Sequence, residues 1–441
     1  MIKMKAVFVD PKGVWEGLNN GIASIAASIR NEHAVHVIDF VNRSGNIEKR
    51  LQAAKDADYV GISMKSFTLD ESIMVANMVK KINPGAKIIA GGPHVMVDGY
   101  NLLVDNPVFD LGVFGEAEYV FGEILLGKDP STITGLIYRK DGQVIQNHAS
   151  EWISDLDSLP FPTYDDFDSV NINGEIQKIE NWPLVTSRGC PYTCSYCNVP
   201  TVIGRKFRAR SGKNILEELR YAREKYGSKE FKVLDDNFTL QMDRAKDICR
   251  LFIEEKLDMK WTCPNGIRAD RLDEDLCSLM KQAGCYSMSI GVESGDPEVF
   301  DKIRKGEKLQ DVERGIRLAQ AAGIKVHGFF IIGLIGSTYE ADKRSMEFAK
   351  RLGITASWGI LVPYPGTEVW EQVKKDSNSR ILRDWKEGFH IGARPKPVFD
   401  TSEYTAEERV RAYYYANMTT IKKKDIPRAA KLVIKGLMSG K

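Results

Sequence analysis

The sequence lacks any apolar run near the roughly 20 residues that a bilayer-spanning helix needs. Its longest candidate, GFFIIGLIG at residues 328–336, reads as a buried strand. It also lacks a surplus of either charge: 62 Lys and Arg against 60 Asp and Glu leave +2. Binding to a phosphate backbone needs a basic surface, so nucleic acid is not expected as a partner. The opening residues, MIKMKAVFVD, lack the layout of a secretory signal, which predicts a cytoplasmic protein. Cysteine is scarce, seven in 441 residues. In a reducing compartment these read as metal ligands, catalytic groups or small core residues rather than disulfides. Low-complexity tracts and long-range repeats are missing too. What is present is globular in character, 43% apolar and 28% charged, and long enough for two or three domains.

Two alternating series of β-rich and helical runs organise the chain. The first places strands at 5–9, 35–39, 59–62, 87–90 and 111–113, with helices such as 21–30 and 70–82 between them. That rhythm predicts a doubly wound parallel sheet of the Rossmann-like type over 1–130. Ligands bind such sheets outside the carboxyl ends of the strands. Small or polar residues stand there: Asp10-Pro-Lys12-Gly, Ser63, Gly91-Gly92-Pro93-His94 and Gly115-Glu116-Ala-Glu. A hairpin around Lys140-Asp-Gly142 and a proline-punctuated linker fill 131–180. The second series places strands at 184–186, 231–234, 260–263, 287–291, 325–332 and 358–362. Helices follow at 213–226, 242–255, 274–283, 309–322 and 340–352. Six repeats predict a partial (β/α)6 barrel over 181–375, with its chemistry at the carboxyl strand ends. Residues 376–441 are expected to form a short helical segment, opened by the capping box Thr405-Ala-Glu-Glu408. Its Tyr413–Tyr415 and Lys422–Lys424 read as a packed helix with a solvated basic face.

The strongest chemical signal is RGCPYTCSYC at 188–197, which spaces Cys190, Cys194 and Cys197 as C-x3-C-x2-C. Thiolates bind soft iron, and three ligands within eight residues wrap one face of a [4Fe–4S] cube, leaving one iron open. Zinc usually takes four closed protein ligands, and no fourth Cys or His lies near in sequence. Zinc and three packed cysteines are the alternatives. Asp235 and Asp236 are adjacent carboxylates at a strand end, suited to binding substrate hydroxyls, to general acid–base work, or simply to capping the next turn. Cys263, before Pro264-Asn-Gly266, is placed at the barrel mouth as a candidate substrate-facing thiol. Cys249, Cys277 and Cys285 read as core.

The C-x3-C-x2-C loop, with Tyr196 before its last cysteine, resembles the radical S-adenosylmethionine (SAM) superfamily. Later pieces resemble it in order: Leu234-Asp-Asp-Asn-Phe-Thr239, Gly291-Val-Glu-Ser-Gly295, Phe300 to Gly306, Gly333-Leu-Ile-Gly336 and Pro363-Tyr-Pro-Gly-Thr-Glu368. Ile335 stands where that family usually has proline. The resemblance implies that Cys190, Cys194 and Cys197 hold a [4Fe–4S] cluster whose open iron chelates SAM. Reductive cleavage then gives methionine and a 5′-deoxyadenosyl radical that abstracts hydrogen. It implies SAM contacts from Tyr196, Glu293, Ser294 and Gly333. Arg304 or Lys305 would pair with the SAM carboxylate, although long charged side chains are usually solvated. A flavodoxin or ferredoxin would supply electrons.

The domain order resembles the branch of that superfamily with an N-terminal cobalamin-binding domain. Gly61-Ile-Ser63, Gly91-Gly-Pro-His94, Gly115-Glu-Ala-Glu118 and Leu159-Pro-Phe-Pro162 carry the likeness. It implies cobalamin contacts from Asp10, Lys12, Ser63, Gly91, Gly92, Pro93, His94, Gly115 and Glu116. The sequence departs from the full cobalamin signature. Lys12 stands where an axial histidine would be, Trp15 where a glycine would be, and Lys65 where an apolar contact is expected. The resemblance implies cobalamin-dependent methylation of an unactivated carbon in a small molecule, such as a natural-product or cofactor intermediate. The alternative is cobalamin-independent radical dehydration, epimerisation or rearrangement, with the first domain as scaffold. A third reading is a sensor that binds these ligands without cleaving SAM.

Overall fold

The computed structural model describes residues 3–13, 17–388 and 395–419; Trp15 and Lys422–Lys424 lie outside them. The chain divides into two compact units. The first is residues 1–183 with 201–203 and 221–228, and the second is the rest.

In the first unit, β1 (Lys5–Asp10), α1 (Asn20–Ile29), β2 (Ala34–Asp39) and α2 (Ile47–Leu51) lead into β3 (Tyr59–Ser63) and α3 (Leu69–Ile82). Then come β4 (Lys87–Gly91), α4 (Pro93–Asp105), β5 (Leu111–Val113) and α5 (Ala117–Leu125). The hairpin is β6 (Leu136–Lys140) and β7 (Gln143–Gln146). The sheet runs β2-β1-β3-β4-β5-β6-β7. Its first five strands are parallel and the hairpin adds antiparallel on β5. Strands covered on both faces need continuous apolar runs. Val7, Val9, Ile38, Val60, Ile62, Ile88 and Ala90 supply them in one core cluster. The order 2-1-3-4-5 reverses direction between β1 and β3, where such sheets take ligands. Asp10 and Ser63 end those two strands. The chain then makes a two-residue ribbon, β8 (Asn171–Ile172) with β9 (Glu175–Ile176).

The second sheet is built on β10 (Asn181–Leu184), β13 (Glu230–Val233), β14 (Lys260–Ile267), β15 (Cys285–Glu293), β16 (Lys325–Ile332) and β17 (Thr355–Ile360), in chain order. The helices between them are α7 (Gly212–Tyr226), α8 (Met242–Glu254), α9 (Glu274–Gln282), α10 (Pro297–Lys302), α11 (Leu309–Ala321) and α12 (Tyr339–Arg351). Asp273, Asp296 and Thr338 accept backbone N–H groups at the starts of α9, α10 and α12. Between β10 and α7 lie β11 (Ser187–Arg188), α6 (Val199–Val202) and β12 (Arg208–Ala209), with β11 and β12 paired antiparallel. This is the expected partial barrel.

After β17 come α13 (Glu368–Lys375), an antiparallel pair β18 (Ser379–Ile381) and β19 (Phe399–Thr401), and α14 (Ala406–Thr419). The segment expected to be helical thus opens with a ribbon. The capping box forms: Thr405 N donates to Glu408 Oε2 at 3.0 Å, and Glu408 N to Thr405 Oγ1 at 3.3 Å. No helix among the described residues is long and apolar enough to cross a membrane.

Residues of the linker are clamped onto β2 by charge. The Arg50 guanidinium reaches both carboxylate oxygens of Asp168, at 2.7 and 2.6 Å, with both side chains nearly buried. Asp39 N donates to Asp168 Oδ1 at 3.0 Å, and Arg50 also lies 4.6 Å over the Phe40 ring. Removing one partner leaves a buried charge uncompensated. Asp168→Ala is therefore expected to lower unfolding stability by about 3–5 kcal/mol, read as the urea midpoint. Replacing both partners with apolar residues should cost less.

Candidate active site

The loop that carries the three cysteines leaves β11 through Gly189, at φ +91°. A Cβ there would lie 2.3 Å from Lys206 O, so only glycine lets the two backbones meet. Cys190 N donates to Gly204 O at 3.1 Å, and Cys197 N to Cys194 O at 3.1 Å. Ser195 is held from both sides: its N donates to Ile303 O at 3.0 Å, and its O accepts Val369 N at 3.0 Å. The cysteines are half-buried and free. Burial pushes all three thiols up, Cys197 to about 12, and neighbouring thiols add to the shift of Cys194 and Cys197. Lys305 and Arg268 pull Cys194 the other way. Among the described residues no group of three Cys, His, Asp or Glu side chains is drawn together as a finished metal site. Three thiols near enough to feel one another, beside two cations, are still the donor set that suits soft iron. Asn237, 1% exposed, also fits. Its amide sits beside the Cys190 thiol and makes no other hydrogen bond among the described residues.

Beside this loop, β15 ends in Glu293, a non-glycine residue at φ +66°. That left-handed backbone stores strain, which the surroundings must hold. The Tyr196 hydroxyl hydrogen-bonds the Glu293 carboxylate. Burial and that carboxylate push the Tyr196 hydroxyl up, and burial pushes Glu293 up against the pull of Lys305. Lys305 is 6% exposed, not solvated as its length suggests. Its ammonium donates to Gly291 O, lies 2.8 Å from Glu307 Oε1, and stands 3.7 Å from Glu293 Oε1. Arg268 donates to Lys305 O, stacks 3.6 Å over the Tyr192 ring, and pairs with Asp270 at 3.0 Å. Arg304 turns outward to an ion pair with Glu368. Ser294 points inward, its Oγ 3.3 Å from Ser345 Oγ and accepting Asp296 N at 3.1 Å.

The two aspartates separate. Asp235 is buried and accepts Thr186 N at 2.6 Å, Ser187 Oγ at 2.5 Å and Thr186 Oγ1. It is committed to tying β10 to β13 and is not open to a substrate hydroxyl. Asp236 forms no hydrogen bond among the described residues and faces the Cys190 side. Burial and Asp235 push its carboxyl up to about 6. Cys263 is a correction. It is buried mid-strand in β14 rather than at the mouth, because the strand continues to Ile267 through a register shift. Burial raises its thiol well above normal. Cys249, Cys277 and Cys285 are buried as expected.

At the end of β16, Gly333 N donates to Asp342 Oδ2 at 3.1 Å. Asp342 also accepts Ser337 Oγ at 2.7 Å and Tyr404 OH at 2.6 Å. Arg409, 2% exposed, lies beside Gly333 and stacks 4.2 Å over Phe399.

In the first unit the residues singled out at the strand ends do meet. Asp10, 1% exposed, pairs with Lys65 at 3.1 Å and accepts Asn19 Nδ2 at 3.0 Å. Asn19 Nδ2 also donates to Ser63 Oγ at 3.1 Å. Burial raises the Asp10 carboxyl, against the pull of Lys65. Lys12 is exposed, and its backbone N donates to Glu71 Oε1 at 2.9 Å. Gly92, at φ +93°, lies so close to Met64 that a Cβ would come within 2.9 Å of its carbonyl. At Gly91 a Cβ would meet nothing within 4 Å, so β4 ends on bare backbone. Pro93 opens α4. His94 is buried, its Nδ1 3.1 Å from Ser66 Oγ. Gly115 packs on Ser150, and Glu116 Oε2 accepts Ile153 N at 2.6 Å. The open backbone at Gly91, beside the reversal of strand order, fits a large planar ligand.

Reading the sequence passed over Asn237, Arg268, Glu307 and Tyr192. Only Asn237, next to Asp236 in a polar strand end, carried a local signal.

Three comparisons complete the site. The Radical SAM superfamily profile matches residues 184–366, and the B12 binding domain profile matches residues 5–125. The chain is 32% identical over 397 residues to an uncharacterized methyltransferase of Pyrococcus horikoshii, covering 88% of this chain and 84% of that protein. It is 30% identical over 354 residues to the cytidylyl-2-hydroxyethylphosphonate methyltransferase of Streptomyces wedmorensis, covering 71% of this chain and 66% of that one. The fold is similar to that of the radical SAM methyltransferase TsrM from Kitasatospora setae, solved with cobalamin and a [4Fe–4S] cluster. There the TM-score is 0.72 at 17% identity, over 87% of this chain and 81% of that one.

One carboxyl supplies a pH test. Burial holds Asp342 at about 6, above its ordinary 3.8. The folded state therefore binds this proton more tightly than the unfolded state. Its contribution to stability is complete below pH 3.8 and lost as pH rises through about 6. Asp342→Asn is expected to remove one proton's worth of slope from the stability–pH curve in that window, measured by urea unfolding at a series of pH values.

Proposed function

Because the chain belongs to the radical SAM superfamily and carries a B12 binding domain, we propose that it is a cobalamin-dependent radical SAM methyltransferase acting on an unactivated carbon of a small molecule. The observation that carries this reading is the pairing, in one chain, of a pinned three-thiol loop with a bare-backbone cradle at the strand-order reversal of the first sheet. The methyltransferase names of its relatives support it. When bound, the cluster and SAM supply a 5′-deoxyadenosyl radical for hydrogen abstraction, and cobalamin supplies a methyl carrier.

The chain's own residues then have distinct tasks. Cys190, Cys194 and Cys197 hold the cluster, with Asn237 orienting Cys190 and the cations at Lys305 and Arg268 favouring the thiolate at Cys194. Glu293 and Tyr196 hold the polar end of SAM. Lys305 fixes Glu293 in its strained backbone. The Gly333 turn, steadied by Asp342, borders the same strand ends. Gly91 lets the corrin lie on backbone, Gly92 and Gly115 let the chain pack against Met64 and Ser150 beside it, and the Asp10–Lys65 pair meets it with no net charge. Asp236 holds or moves a proton near the substrate. An oxygen-sensitive cluster suits a cytoplasmic setting, with a flavodoxin or ferredoxin as electron donor. A second reading, radical dehydration or rearrangement without cobalamin, draws on Asp236, since a carboxyl at about 6 exchanges protons readily near neutral pH.

Protein made without oxygen and supplied with cobalamin is expected to show stoichiometric cobalamin and four irons per chain, by absorption and mass spectrometry. A cluster without cobalamin would select the second reading. Cys194→Ala should abolish iron content and SAM cleavage together; retained cleavage would refute the cluster assignment. Glu293→Gln should weaken SAM binding about tenfold, the order of one hydrogen bond to a charged group, while iron content stays intact. Loss of iron would make Glu293 structural.

A further inference from the structure

Beyond the cofactor sites, the second unit holds a cavity of about 300 Å3 between α13 and the β18–β19 ribbon. Its walls are aromatic: Trp370 of α13, Trp385 after β18, and Phe399 of β19. Ile381 forms part of the rim and is 56% exposed. Two cations line it, Lys374 and Arg383, against one carboxylate, Asp384. One oxygen of that carboxylate is engaged: Oδ1 accepts Lys386 N at 2.8 Å at the start of the short helical turn Trp385–Gly388. Lys374 stands 5.4 Å over the Trp370 ring. The Arg383 side chain makes no ion pair or hydrogen bond among the described residues, although its Nε is buried.

A buried guanidinium donor without an acceptor is costly. Its fork of N–H groups matches carboxylate and phosphate oxygens. Indole and phenyl walls favour a flat ring. A volume of about 300 Å3 is at the small end of ligand pockets, which run from about 300 to 1,000 Å3. We propose that this cavity is a binding site for a small aromatic oxyanion, its ring between the indoles and its acid group on the Arg383 fork. Helix α13 links the cavity to the cysteine loop. Its first turn holds Ser195 through Val369 N, and its next turns supply Trp370 and Val373 to the cavity. Tyr364, whose ring lies 6.0 Å from that of Trp385, has its hydroxyl raised to about 12 by burial and by Cys197.

The test is a titration of the full chain, without SAM or reductant, following tryptophan emission. Benzoate and phenyl phosphate are expected to bind at least tenfold more tightly than benzyl alcohol, and at least tenfold more tightly than inorganic phosphate. Preference between the two acids separates a carboxylate ligand from a phosphate one. Arg383→Gln should weaken both acids at least tenfold and leave benzyl alcohol unchanged. Ile381→Trp, which fills the cavity from an exposed position, should abolish binding of all four probes. Absence of binding, equal binding of acid and alcohol, or acid binding that survives Arg383→Gln would overturn the proposal. The titration needs neither cluster nor SAM, so its failure leaves the methyltransferase reading standing, and failure of SAM cleavage leaves this site standing.

Discussion

A single buried ammonium, that of Lys305, organises the mouth of the second unit. An isolated charge in so apolar a setting would not persist; here the Gly291 carbonyl, Glu307 and Glu293 surround it. The acceptors come from two stretches of chain. Gly291 and Glu293 end β15, Glu307 follows α10, and Asp270 N donates to Glu307 Oε2 at 3.2 Å. The carbonyl of Lys305 is in turn held by Arg268, just past β14. Two residues upstream, Ile303 O accepts the N–H of Ser195 inside the cysteine loop. The ion network therefore sets the ends of β14 and β15, the stretch after α10 and the cysteine loop against one another. It also surrounds the carboxylate of Glu293, whose backbone stands at a strained positive φ.

Much of this was readable in the sequence, where local spacing and local chemistry coincide. Three cysteines within eight residues mark the loop that the structure draws into one partly buried cluster of thiols. The alternation of β-rich and helical runs located five of the six barrel strands, because parallel strands need continuous apolar stretches, and set the first, expected at 184–186, against β10 at Asn181–Leu184. Burial of long polar side chains was not legible. Lys305 reads as a surface residue because the residues that neutralise it are brought to it by the fold. Cys263 was misplaced because Pro264-Asn-Gly266 reads as a turn, whereas β14 absorbs it in an irregular stretch with Gly266 at φ +94° and continues. Asp235 and Asp236 look equivalent in sequence. The reach of Thr186 and Ser187 from β10 and β11 makes one a structural tie and leaves the other open.

The first unit repeats the lesson at longer range. In the sequence Lys65 is an intruder in a cobalamin-type sheet, and Asp10 an isolated strand-end acid. They are 55 residues apart and form one ion pair. The pairing depends on β1 and β3 being neighbours, with β2 on the far side of β1. Strand–helix rhythm predicts a parallel sheet and leaves the order of its strands open. His94, conspicuous in its Gly-Pro context, is buried with its Nδ1 3.1 Å from Ser66 Oγ, a partner 28 residues away that the local sequence does not reveal.

The tie between Asp342 and Tyr404 has a consequence for how the molecule is made. Synthesis is vectorial, and the Tyr404 hydroxyl reaches the growing chain 62 residues after the carboxylate it must meet. Until then, the buried acid that also receives the Gly333 N–H lacks one of its three donors, and the Arg409 side chain beside that turn is still to come. The strands of the second unit can assemble as they leave the ribosome. The turn after β16 acquires its final support only when the last described helix has emerged. A nascent chain stalled before that helix would hold Cys190, Cys194 and Cys197 on a barrel whose fifth strand end is unfinished.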